Sequence, residues 1–288
     1  MGPNLPRALA RGIAATSTVA LAAVLLIVPL AGCAPAPAAE PVPPAPAPSE
    51  RAPAAAPAPA PPPSPPVSYP AGGGNRWDVA AGEAAPGAGH GRLLRYRVAV
   101  ERDIRGVPVA GFAAEVTRIL ADPRGWTAGG KWRLRRVGPG HRADFTVHLA
   151  TPDTRDLLCQ DDPDGYTSCR NGDRVVLNVA RWVKGAPGFG TDLAHYRRYL
   201  VNHEVGHRLG MGHQLCPGRG RPAPVMQQQT LGLHGCTPNG WPYPNGRLHS
   251  GPPGAYADPI PPRDQGRPAQ TPRQKSSSKP TVPVTPTW

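Results

Sequence analysis

The order of patterned segments predicts an α+β domain. Three observations carry this expectation. Leu93–Val100, Lys131–Val137 and Phe145–Leu149 alternate apolar and polar residues, the period-two signature of half-buried strands. Val107–Leu120 instead spaces Val109, Phe112, Val116, Ile119 and Leu120 along one face of a helix. A second helix starts after Gly190 and carries a dense run of histidines.

The chain opens with Arg7 and Arg11, followed by an apolar run from about Ile13 to Leu30 and then Leu30-Ala31-Gly32-Cys33. The charged start, apolar core and small residues form a secretory signal. The stretch is similar to bacterial lipoprotein signals, which implies removal of residues 1–32 and lipidation of Cys33. An uncleaved membrane anchor is the alternative, because the apolar run approaches spanning length. Either reading places the remainder outside the cytoplasm. Residues 33–91 read as a spacer: Pro and Ala dominate to about Pro70, and Gly72–Gly91 is small and polar, with Trp77 in contact with the domain.

The folded domain is expected over residues 92–250. Its helix over Val107–Leu120 ends at Asp122-Pro123. Phe145, Val147 and Leu149 define the buried face of the third strand, and His148 points the other way. Leu157–Arg170 reads as a loop, and its Gln160–Gly165 acidic run fails the calcium-loop pattern at Gln160 and Asn171. Asn171-Gly172 is a hairpin signal joining a strand around Tyr166–Arg170 to a strand over Arg174–Ala180. The last helix takes Thr191 or Asp192 as its N-cap and Leu193, Tyr196, Leu200 and Leu209 as its buried stripe. Residues 251–288 are Pro-rich and basic and read as a disordered tail.

The chemistry concentrates in His203-Glu204-Val205-Gly206-His207-Arg208-Leu209-Gly210-Met211-Gly212-His213. On a helix, residues four apart stack on one face, so His203 and His207 can address one metal ion. Glu204 lies about 100° further round and can reach a water on that metal. On an unbroken helix His213 would lie on another face. Gly210 resolves this, since glycine takes the left-handed conformation that ends helices. Three neutral histidines with a free fourth position describe a catalytic Zn2+ site. Gly206 costs about 1 kcal/mol in a helix relative to alanine, and close packing beneath the metal would account for it.

This stretch resembles the metzincin metallopeptidases, whose signature adds a methionine turn after the third histidine. Pro222-Ala223-Pro224-Val225-Met226 fits that place. The resemblance implies a mixed twisted sheet, two main helices and a zinc cleft, followed here by a small irregular C-terminal part. It implies His203, His207 and His213 as metal ligands, Glu204 as general base, and Gly210 and Met226 as structural supports. It also implies an edge strand above the zinc that binds substrate by strand addition, with Val175–Ala180 as the candidate. Gln227-Gln228-Gln229 departs from the families that place a tyrosine ligand just after the methionine, and Tyr243 could substitute only by folding back.

Four cysteines remain besides Cys33: Cys159, Cys169, Cys216 and Cys236. Three pairings are possible, and the nearest-neighbour one, Cys159–Cys169 with Cys216–Cys236, is expected in an oxidising exterior. The net charge of +13 suits anionic envelope polymers or lipid headgroups and, in an exported chain, not nucleic acid. The expectation is therefore a monomeric, extracytoplasmic, lipid-anchored zinc endopeptidase acting on protein or peptide. The alternatives are a non-catalytic binding lipoprotein on the same scaffold and a zinc hydrolase of cell-wall peptides.

Overall fold

A computed structural model describes residues 66–269. The leader, Cys33, the Pro/Ala stretch before residue 66 and the chain after residue 269 lie outside the described residues. Within them the fold is α+β, with a mixed seven-stranded sheet and four α-helices. In chain order the elements are β1 (Tyr69–Pro70), β2 (Trp77–Val79), β3 (Ala88–Gly89), β4 (Arg92–Glu101), α1 (Val109–Leu120), β5 (Trp132–Arg136), β6 (Phe145–Ala150), α2 (Pro152–Cys159), β7 (Cys169–Asn171), β8 (Arg174–Asn178), α3 (Val179–Lys184), α4 (Leu193–Arg208) and β9 (Gly266–Arg267). None of the described helices is long and apolar enough to cross a membrane.

The sheet runs β3-β5-β4-β6-β8-β7, and β2 pairs with the far end of β4. Strands β5, β4, β6 and β8 are mutually parallel, whereas β2, β3 and β7 are antiparallel additions. One face is the main core. Leu94, Tyr96, Val98, Leu134, Phe145, Val147, Leu149, Val175 and Leu177 meet α1 through Phe112, Val116, Ile119 and Leu120. Tyr196, Leu200, Val201 and Val205 of α4 close the same core. Burying such side chains contributes about 1.5–3 kcal/mol each, which holds the long helix firmly beneath the sheet.

Several sequence expectations change here. The spacer does not extend to Gly91: β2 pairs with β4, and Trp77 meets His148 edge-on at 4.7 Å. Buried Glu101 anchors this segment, accepting hydrogen bonds from Asn75 N, Thr151 N and the Thr151 and Thr154 hydroxyls. The far boundary also moves. Residues expected in the tail form β9 against β1, and Arg263 pairs with Asp153 and Asp156. Pro152 starts α2, a helix before the expected loop, because proline suits the first helical position. Asn178 caps α3, turning Val179 and Ala180 from strand into helix. The hairpin pairs Asn171 with Arg174, so its two-residue turn is Gly172-Asp173, with Gly172 at φ +60°. Finally, β8 lies between β6 and β7 with Val175–Leu177 fully buried. The Val175–Ala180 run is therefore interior, and β7 is the outermost strand.

Candidate metal centre

Helix α4 begins at Asp192, whose carboxylate accepts from His195 N at 2.9 Å. It ends where Gly210 takes φ +92°. There Met211 N donates to Gly206 O at 3.0 Å and Gly210 N to His207 O at 3.1 Å, the paired bonds of a Schellman turn. This turn sends the chain back under the helix and returns His213 to the first two histidines. The Nε2 atom of His207 lies 3.2 Å from that of His203 and 3.0 Å from that of His213.

The other ring nitrogens fix the tautomers. His203 Nδ1 donates to Val225 O at 2.8 Å, and His207 Nδ1 donates to Met211 O at 2.9 Å. A carbonyl can only accept, so both Nδ1 atoms carry hydrogen and each neutral ring leaves a bare Nε2 lone pair. Burial, reinforced by neighbouring imidazoles, drives His203 well below the ordinary histidine pKa and His207 to about 4; burial also lowers His213. Two bare nitrogens, of His203 and His207, thus face one point, and His213 Nε2 joins them there. The two bare lone pairs 3.2 Å apart repel each other, and a cation between them relieves that repulsion. A tetrahedral ion with metal–nitrogen bonds of about 2.0–2.1 Å would separate its ligands by about 3.3 Å, close to the spacing here.

The packing below the histidines explains Gly206. A Cβ there would meet Met226 Sδ at 2.4 Å and Trp126 Cζ2 at 2.7 Å. Met226 is buried in a tight turn closed by Gln227 N to Pro224 O at 3.0 Å. The preceding carbonyl, Val225 O, orients His203, and Met226 O accepts from Gln214 N beside His213. One turn therefore supports two of the three histidines.

Glu204 is 4% exposed and, with the three histidines, lines a cleft of about 430 Å³. Burial pushes its carboxyl up to about 8, Arg155 and Arg170 pull it down, and Asp161 raises it. On the β7 side the cleft wall includes Ser168 and Arg170; on the other it includes Gln228, Thr230, Leu231 and Ile260. The sequence marked none of these as a site residue. Arg155 is buried and makes ion pairs with Asp156, Asp161 and Asp164. The acidic loop is thus engaged internally: Asp164 also accepts from Tyr166 N and Thr167 N, and Asp156 from Gly165 N. Tyr243 does not fold back to the site; its hydroxyl packs against Gly129. His148 sits on the opposite sheet face, away from the cleft.

Cysteines pair as Cys159–Cys169 and Cys216–Cys236, with Cα separations of 6.0 and 5.9 Å. The first ties the end of α2 to β7 at the cleft wall, and the second closes the irregular loop after His213. A family model described as "Protein of unknown function (DUF3152)" matches residues 63–237, more than half of the chain and all of the metal centre. No curated protein and no solved structure matches.

Proposed function

The chain belongs to the DUF3152 family of proteins of unknown function, and for it we propose a zinc-dependent endopeptidase of metzincin type. The observation that carries this reading is the convergence of three neutral Nε2 atoms beside buried Glu204 in an open cleft. His203, His207 and His213 would hold Zn2+. When bound, the ion supplies a Lewis acid that activates water and polarises a peptide carbonyl. Glu204 would take the proton from that water and deliver it to the leaving amine. Its raised pKa in the free protein suits a group that must both accept and release a proton. Outermost strand β7 offers main-chain groups to an extended substrate, in place of the interior run over Val175–Ala180. The disulfides support an oxidising, extracytoplasmic location, and Cys33 would attach the protein to the membrane as a lipoprotein. The chain would act as a monomer on protein or peptide.

The test is digestion of a mixed library of proteins, short peptides and wall fragments by the zinc-loaded chain, with Glu204→Ala and chelated controls. Peptide cleavage should fall by about 10²–10⁴-fold in Glu204→Ala while zinc content and fold persist. Cleavage of wall fragments alone would move the activity to cell-wall peptides. No cleavage by the zinc-loaded parent would favour a non-catalytic binding scaffold.

A further inference from the structure

The sheet face opposite the main core is divided. Its upper part, towards the C-terminal ends of β6 and β8, is covered by α2 and the Cys159–Cys169 bridge. Ala150, Leu158, Cys159, Cys169 and Val176 pack there with Trp77. Its lower part carries no helix and is lined with arginine. On β4 the core residues are Leu94, Tyr96 and Val98, so alternation puts Arg95 and Arg97 on the outer face. On β5 Leu134 is the core residue, which puts Arg133 and Arg135 outside. Arg174 at the start of β8 joins them, two strands away from Arg97 across Thr146.

These arginines are set against each other. Arg95 is the direct register partner of Arg135, and Arg133 pairs with Leu93. Like charges opposed on neighbouring strands are destabilising. Among the described residues none of the five makes an ion pair. The Nε atoms of Arg97, Arg133 and Arg135 are buried without a partner. The carboxylates nearest the array, Asp144, Glu83 and Asp173, lie at its margins and form no ion pair with the five arginines. Asp144 accepts from Arg95 N, Glu83 accepts from Arg136 N, and Asp173 sits exposed on the hairpin turn. Arg97 donates to His141 O at 2.6 Å, and five arginines against three marginal carboxylates leave the face net cationic.

We propose that this arginine-lined half of the outer sheet face docks on an anionic phospholipid surface. The array is two-dimensional. Neighbouring strands are about 4.8 Å apart, and same-face residues along a strand are about 6.6 Å apart. A linear polyanion would neutralise one row, whereas a plane of headgroups meets all rows at once. Guanidinium groups also match phosphate through paired hydrogen bonds. This docking is independent of the zinc chemistry, since the face lies across the sheet from α4.

The experiment uses the chain from residue 33 onward carrying Cys33→Ser, so that neither the apolar leader nor a lipid can hold it to a vesicle, and measures sedimentation with vesicles. Phosphatidylcholine mixed with phosphatidylglycerol should bind the protein, and phosphatidylcholine alone should not. Each arginine near an anionic membrane is expected to contribute about fivefold in affinity. Replacing Arg95, Arg133 and Arg135 together by Gln should therefore weaken binding about 100-fold. The control Arg118→Gln/Arg219→Gln/Arg247→Gln removes the same charge from exposed positions elsewhere and should lose several-fold at most. Single Arg95→Gln and Arg135→Gln variants, each losing about fivefold, keep the test valid if the triple variant does not fold. Equal losses in face and control variants would overturn the proposal, as would no vesicle binding by the parent. Tighter binding of soluble polyphosphate than of vesicles, with the same sensitivity to the face, would overturn the lipid assignment.

Discussion

Gly206 and Met226 show how single atoms fix the candidate centre. The helix carrying His203 and His207 can approach the turn carrying Val225 and Met226 only because residue 206 lacks a Cβ. Gly206→Ala must displace Met226 or Trp126, and Val225 O would move with the turn. Overpacking of this kind costs about 1–3 kcal/mol. We expect a lower denaturation midpoint and weaker zinc retention together, read by urea titration and elemental analysis. A midpoint and zinc content equal to the parent's would show that the turn does not support the histidines. His213 gives a separate prediction. Its Nε2 reaches the others only through the left-handed turn at Gly210. His213→Ala should abolish tight zinc binding while leaving α4 intact, checked by metal content and circular dichroism. Full retention of zinc would mean that His213 is not a ligand.

Among the elements, β6 presents two different faces. Phe145, Val147 and Leu149 are buried in the main core, while His148 packs under Trp77 with its Nδ1 buried and unpartnered. Burial and the nearby Arg174 lower its pKa from 6.5 to about 4. The unfolded chain therefore takes up a proton here at higher pH than the folded one. The stabilising contribution is complete above pH 6.5 and is lost as pH falls towards 4. About 1 kcal/mol should disappear between pH 7 and pH 5, allowing for a ring that is not fully buried. His148→Gln should flatten the urea-stability profile by that amount relative to the parent, and an unchanged slope would show that His148 does not titrate in this way. The same strand shows what the sequence made legible. Regular alternation exposed β4, β5 and β6, and helical spacing exposed α1, because each has a dry face, whereas α4 is buried all round from Tyr199 to Gly206 and was legible through its histidine spacing. Short elements left no such period: α2 and α3 depend on single capping residues, Pro152 and Asn178. The interior place of β8 depends on which strand lies outside it, and hairpin chemistry does not encode that. In the candidate site, His203, Glu204, His207 and His213 stand in one local motif. Arg155, Arg170, Thr230 and Ile260 reach the cleft only through tertiary folding.

At the scale of the whole molecule, the C-terminal segment matters more than its composition suggests. Proline and charge mark residues 251–288 as a tail, yet residues 252–267 run from the third histidine to the N-terminal strand. Gly254 N donates to His213 O at 3.1 Å, and Leu215 N donates to Pro252 O at 2.8 Å. Asp258 meets His234 at 2.8 Å, and Ile260 forms part of the cleft wall. Arg263 then binds Asp153 and Asp156 on α2, Asp264 pairs with Lys184 at 2.6 Å, and β9 pairs with β1. Proline contributes to this path, since it restricts the unfolded chain and needs no donor of its own. The segment thus links the end of the metal motif to α2, which carries the Arg155 side of the cleft. Stopping the chain after Ser250 removes all of these contacts, including partially buried hydrogen bonds and the ion pair at Asp156. The expected loss is about 3–5 kcal/mol of stability, together with weaker zinc retention because the carbonyl of His213 loses its donor. Stopping after Ala269 should restore both. Urea midpoints and metal content of the two truncated chains decide it. Equal values would show that the fold closes before Pro252 and that the return segment only lies on its surface.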